Sequence, residues 1–442
     1  MQAKSSRTYL WVLRGCAVVL ALVAGLYGAG SIDWCRRGPG GDLRLERSES
    51  AEGALLAGAA EAELEPPLPA VVAGYPPQRP EAMRILYSLY ARALVLQVNR
   101  LRIGLVSVDL LTMPASLAEE IRAAANNLKL AELWVTATHS HSSVGGYDRG
   151  LLAQLAGTGR YRPGVRSAVR RAAADALERA AASLSPATLE VGEGAFGQLV
   201  AARSEGEPPD GRLTRLVLRS AVGPVAQLVV FAAHPTLLPR QLDALAPDYP
   251  GLFSSEQESK GGGTTILLQG ALGNASAAGV GENPWKAPSE FADALTGALA
   301  QIQLSQVASP RAGFSRVSVA LPQGDASRVA PSWLRRFGGN FLCMAGPPRA
   351  EISALQIGPL KLVSLPGEPT QGAGHLLEVE SGAQRAIALT NGYIGYIETP
   401  DIVRSGTGES KRQYFEPELL QTLASAARVA VQNLTIKRGQ AR

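Results

Sequence analysis

The chain of 442 residues is poor in several residue types that carry chemistry, with only three cysteines and four histidines. No CxxC pair occurs, which excludes a cysteine-based zinc site and a thioredoxin-type redox motif. Cys16 falls inside an apolar run, Cys35 just beyond it and Cys343 far downstream, so a Cys35–Cys343 disulfide is compatible with an oxidising compartment but nothing in the sequence demands it. A concentrated basic face is also missing. Residues 1–50 carry seven basic and four acidic side chains, and so account for +3 of the net +5. The remaining body has no surplus from which to build a nucleic-acid footprint, and no nucleic-acid partner is expected. With 46% hydrophobic residues and a small net charge, the bulk of the chain is not disordered.

A long uncharged, apolar stretch lies at the N-terminus. Lys4, Arg7 and Arg14 precede the eighteen residues 15–32, rich in Val, Leu, Ala and Gly. Residues 1–32 therefore read as an uncleaved signal anchor with its N-terminus in the cytoplasm, or else as a cleaved signal peptide. Either reading exports the body, anchored to the inner membrane or secreted. Residues 33–52 are polar, charged and Gly-rich and read as a tether, 53–435 as one large catalytic domain, and 436–442 as a tail.

Within the body, 101–110 is an apolar β-branched run, 114–128 has Leu117, Ile121, Ala124 and Leu128 at helical spacing, and 133–138 is a second strand. Strand, helix and strand at this spacing form a βαβ unit with parallel pairing. Helices are also expected over 164–184, 288–306 and 416–431. Further strands are expected over 188–193, 213–220, 225–233, 264–269, 314–321, 352–357, 360–365 and 385–390. The expected fold class is α/β, with mixed β-sheets flanked by α-helices.

Three of the four histidines fall directly after predicted strands, in Thr138-His139-Ser140-His141-Ser142 and Ala233-His234-Pro235-Thr236. Ligands gather beyond the carboxyl ends of strands in open α/β sheets. Two histidines at i and i+2 of an extended chain project the same way, and imidazole is the commonest side-chain metal ligand. The pattern points to a metal held by at least two of them. His375 lies at helical spacing after Glu368 and reads as surface or core, and Asp109 as a structural group ordering the His139 loop.

The string Thr136-Ala137-Thr138-His139-Ser140-His141-Ser142-Ser143-Val144-Gly145-Gly146-Tyr147 resembles the ATHTHSGPGGY segment of neutral (nonlysosomal) ceramidases. Other landmarks of that family follow in order. Ala202-Arg203-Ser204 resembles its arginine segment, Phe231–Thr236 its FAxHxTS segment and Gln269–Ser276 its GDxS loop. Pro366-Gly367-Glu368-Pro369-Thr370 resembles its PGEFT segment, 391–399 its NxYxxYVTT segment and Gln413-Tyr414-Phe415-Glu416 its later tyrosine.

The resemblance implies a Zn²⁺ site made by His139, His234, Glu368 and Tyr396. It implies His141 as general acid or base, Arg203 and Tyr414 as donors to a tetrahedral oxyanion, and Ser276 in the same pocket. The implied reaction is hydrolysis of the N-acyl amide of ceramide or a related lipid by a zinc-activated water. A zinc hydrolase of another amide or ester, and a catalytically silent membrane-tethered protein that binds a lipid or partner, are the alternatives. The chain departs from the family at Val144, Leu237, Leu238, Asn274 and Ala277, near the substrate, while the metal positions are kept. It also stops before an immunoglobulin-like C-terminal domain could begin.

Overall fold

The computed structural model describes residues 3–30, 32, 35, 40–75, 81–308, 310–328, 330–331 and 334–434. The expected tail, 436–442, lies outside these residues. Among the described residues, three five-stranded sheets dominate. The first runs in the order Glu132–Ala137, Leu101–Val108, Leu89–Val98, Leu55–Leu64, Ser185–Pro186. The second runs Thr264–Gln269, Gly223–Phe231, Arg212–Ser220, Thr188–Ala195, Ser305–Gln306. The third runs Leu43–Glu52, Arg311–Ala320, Arg349–Ile357, Leu360–Ser364, Arg385–Ile387.

Each sheet is mostly antiparallel but contains one parallel pair at an edge: 101–108 with 132–137, 223–231 with 264–269, and 360–364 with 385–387. The expected βαβ unit is present, with helix Ala115–Ala124 between its two strands. Leu117, Ala118 and Ile121 supply the buried stripe of that helix.

Helices cover the outer faces. Ala115–Ala124 and Pro163–Ala182 pack on the first sheet, Asp248–Ser259 and Ala287–Ala300 on the second, and Gln371–Ser381 and Leu419–Gln432 on the third. The inner faces meet in a shared core that joins Leu94, Leu96 and Trp134 to Leu216, Leu228 and Leu268 and to Phe314, Leu355 and Leu362. Trp134 is fully buried there, and its indole N–H donates to Ser353 Oγ at 2.6 Å, so its one polar atom is satisfied inside the core. The architecture is mixed α/β with helix-flanked sheets, as expected.

The structure differs from the sequence reading in several places, among them helices Asp248–Ser259, Arg335–Ala345 and Gln371–Ser381, which are additional to the expected set. Residues 43–52, read as part of the tether, are an edge strand antiparallel to 311–320. Ladder hydrogen bonds come from the backbone, so a solvent-facing edge strand can be polar and charged along most of its length. Strands Leu55–Leu64 and Leu89–Val98 are additional to the expected set. The first is Ala-rich because helix Pro163–Ala182 crosses it closely: a Cβ at Gly58 would lie 2.1 Å from the Ala180 carbonyl oxygen. Finally, helix 287–300 stops short of the expected 306, and 305–306 joins the second sheet instead.

The N-terminal run forms helix Ala3–Gly30, with Trp11, Val18, Leu20 and Leu22 exposed. Among the described residues, no helix is long and apolar enough to cross a membrane, so the expectation of a transmembrane N-terminus finds no support there. Cys35 and Cys343 are joined in a disulfide, and the segment around Cys35 is held further by Asn340, whose amide donates to the Ile32 carbonyl at 2.8 Å. Cys16 is free and exposed.

Candidate metal centre and active site

The parallel strands of all three sheets point their carboxyl ends toward one place, where backbone hydrogen bonds stitch the sheets together. Ala388 N donates to Gln269 O at 2.8 Å, and Asn391 N to Val135 O at 2.8 Å. His139 and His141 follow the strand ending at Ala137, His234 the one ending at Phe231, and Glu368 the one ending at Ser364. Tyr396 is delivered by a short strand, Tyr396–Ile397, parallel to Glu368–Pro369.

The four expected ligands converge. His139 Nε2 lies 3.2 Å and His234 Nε2 3.1 Å from Glu368 Oε2, and His234 Nε2 lies 3.0 Å from the Tyr396 hydroxyl. All four residues are buried. His141 Nε2 lies 3.3 Å from His139 Nε2, and His139, His141 and His234 form a group able to hold a metal ion.

The tautomers follow from the neighbours. His139 Nδ1 is 2.7 Å from the Leu111 carbonyl oxygen and His234 Nδ1 is 3.0 Å from that of Ala275. A carbonyl only accepts, so both Nδ1 atoms carry the hydrogen and both Nε2 lone pairs face inward. Metal-ligating histidines are oriented in this way. Burial holds the His234 imidazole down to about 4, so it is neutral at pH 7. Burial also lowers His141, and the nearby His139 and His234 act in the same direction.

Tyr393, three residues before Tyr396, donates to Glu368 Oε1 at 2.5 Å and leaves Oε2 to the histidines. Two imidazole lone pairs and a carboxylate oxygen thus crowd together among buried side chains. This donor set, two N and two O, fits Zn²⁺.

His141 is held differently. Among the described residues its Nδ1 is buried without a hydrogen-bond partner, while its Nε2 faces the cluster. Its ring meets Tyr75 at a centroid distance of 5.0 Å. Gly74, at φ +117°, passes so close that a Cβ there would lie 2.6 Å from the His141 carbonyl oxygen.

His139 itself sits at φ +70°, an unfavourable backbone conformation for a non-glycine residue that costs about 1–3 kcal/mol. The preceding residue is held at both its backbone groups, Thr138 N donating to Val108 O at 3.0 Å and Thr138 O accepting from Gln269 Nε2 at 3.0 Å. Asp109 also serves this loop. Its carboxylate accepts from Tyr90 N at 2.9 Å, and its carbonyl accepts from the Ser143 hydroxyl.

The remaining expected residues lie around the cluster. Arg203 follows strand Val200–Ala202, which pairs with Ala275–Ala277, and its backbone N donates to Asn274 O at 3.0 Å. Its guanidinium faces Glu409 at 3.5 Å. Ser276 is bridged to His234 by an isolated parallel pairing. The Tyr414 ring covers Gly395, beside Tyr396. Asn274 is buried and neutral, its Oδ1 accepting from Gln371 N at 2.8 Å. His375 is exposed on helix Gln371–Ser381.

Sequence reading gave no role to Gln269 or Arg412. The Arg412 guanidinium stands 5.4 Å over the Tyr396 ring, a position that only the fold creates. For Tyr393 the Tyr-x-x-Tyr spacing was the one available signal.

Residues 63–207 match the family described as neutral/alkaline non-lysosomal ceramidase, N-terminal. No curated protein matches the chain in sequence. Two solved structures share its fold at a TM-score of 0.72. A ceramidase complexed with C2 is 17% identical, with 86% of this chain and 75% of that one covered. The neutral ceramidase from Pseudomonas aeruginosa is 19% identical, with 87% and 75% covered. The segment 63–207, which carries His139 and His141, is thus similar to the N-terminal part of the neutral/alkaline non-lysosomal ceramidases.

Proposed function

We propose that this protein is a zinc-dependent amidohydrolase of the neutral ceramidase type, cleaving the N-acyl bond of ceramide or a related lipid. The observation that carries this reading is the convergence of His139, His234, Glu368 and Tyr396, with Nε2 lone pairs turned toward one carboxylate oxygen. The reaction is RCONHR′ + H₂O → RCO₂⁻ + R′NH₃⁺. When bound, zinc supplies Lewis-acid polarisation of the carbonyl and acidifies water.

The chain's own residues do the rest. His141, whose Nε2 faces the cluster 3.3 Å from His139 Nε2, takes a proton from the attacking water and returns it to the departing amine. Arg203 and Tyr414 donate to the oxyanion, and Ser276, beside His234, orients the reactants. The Cys35–Cys343 disulfide supports an exported location, since such bonds persist in oxidising compartments.

The test uses the full chain, because strand 43–52 belongs to the third sheet. Purified protein is expected to carry about one zinc per chain and to release fatty acid from ceramide, with loss on chelation and recovery on zinc addition. A natively folded protein that neither contains nor takes up metal would overturn the reading. Comparing ceramide with N-acyl amino acids and simple esters separates the amide and ester alternatives.

A further inference from the structure

Beside the imidazole cluster lies a second, polar pocket of about 330 Å³, lined by Arg203, Ser204, Gly408, Glu409, Lys411 and Arg412. Three cationic side chains and one carboxylate form its wall, a formal surplus of two positive charges. The carboxylate, Glu409, is buried and already engaged by both Arg203 and Arg412.

The pocket adjoins the candidate metal ligands. Arg412 stands 5.4 Å over the Tyr396 ring. Arg203 is fixed through its backbone to Asn274, next to the Ala275 carbonyl that holds His234. The neighbouring Asn274 side chain is a neutral amide and adds no negative charge.

Three cations at one pocket repel one another, and an anionic ligand relieves that repulsion. Two of them are guanidinium groups, whose planar forks match the oxygens of a carboxylate, sulfonate or phosphate. A neutral lipid headgroup would leave this surplus unanswered. The acyl half of a lipid amide is apolar and gains nothing from such a wall, so the charge belongs on the amine half.

Building on the hydrolase reading above, we propose that this pocket seats an anionic group on the amine half of the substrate. The substrate class is then N-acyl amines that carry an acid close to the scissile bond, in preference to neutral N-acyl lipids.

The test compares N-lauroylglycine with its neutral isostere N-lauroylglycinamide on the full-length zinc-loaded protein, by calorimetric binding and by release of laurate. The acid is expected to bind at least about tenfold more tightly at low salt. That advantage should shrink toward unity at about 0.5 M salt, and also in Lys411→Gln and Arg412→Gln variants whose circular dichroism matches the parent. Equal binding of the two amides, or a preference that survives both salt and substitutions, overturns the proposal. Preferential binding of the acid without hydrolysis of either amide would leave the anion pocket standing and remove the hydrolase reading. Hydrolysis of both at equal kcat/KM with equal binding would do the reverse.

Discussion

Gln269 Nε2 donates to the Thr138 carbonyl at 3.0 Å, while its Oε1 faces Ala233 N at 3.4 Å. One buried amide therefore ties the residue before His139 to the residue before His234. The same side chain also receives support from the Tyr249 hydroxyl, 3.3 Å away, which itself donates to Ala233 O at 2.6 Å. Gln269 is thus a positioning residue for two ligands that come from different sheets.

Replacing it should loosen the site more than the fold. Gln269→Leu is expected to weaken zinc binding by about 10–100-fold, the range typical of groups that orient metal ligands. The accompanying loss of stability should be about 1–3 kcal/mol, from leaving buried partners unpaired. Competition with a chromophoric chelator, beside a denaturation curve, reads both. An unchanged zinc affinity would remove the positioning role.

The three histidines should separate by role. His139→Ala and His234→Ala are expected to abolish stoichiometric zinc, because each Nε2 is aimed at Glu368 Oε2. His141→Ala should retain the metal while amide hydrolysis falls by about 10²–10⁴-fold, the usual loss for a general acid–base. Metal analysis of the three variants decides this. Zinc lost with His141 but kept with Glu368→Ala would reassign the ligands to the three imidazoles.

Glu132 gives the protein a pH dependence away from the site. Burial raises its carboxyl to about 7 against an ordinary 4.5, although Arg316 lies 2.6 Å away. Between those values the native state holds more protons than the unfolded chain, so this group's contribution to stability falls as pH rises from about 4.5 to about 7. Glu132→Gln does not titrate. The stability of the parent relative to this variant should therefore decline across that window, by at most about 3 kcal/mol. Urea denaturation at pH 5 and pH 8 measures it, and a constant difference would show that Glu132 is not perturbed.

The cysteines make a simpler prediction. Denatured but unreduced protein should present one reactive thiol, Cys16, and fully reduced protein all three. Thiol titration with mass spectrometry reads the count. Three free thiols in protein prepared under oxidising conditions would argue against the Cys35–Cys343 bond and against the compartment it supports.

What the sequence determined by itself was local. The βαβ unit was legible because a β-branched run, a helical stripe and a second strand stand within a short span, each with its own period. The histidine strings were legible because neighbouring residues at a strand end share a direction. Edge strand 43–52 was hidden because its pairing resides in the backbone and its side chains face water. Strand 55–64 was hidden because its small residues answer to a helix that packs on it from far along the chain. Only the tertiary structure decided the rest. Residues as distant as His139 and Glu368 meet because three parallel strand pairs end at the same point, and the carbonyls of Leu111 and Ala275 set which imidazole nitrogens face inward. The charge balance followed the same division: the excess visible in the sequence lies mostly near the N-terminus, whereas the excess beside the site was made by folding, which brings Arg203 to Lys411 and Arg412.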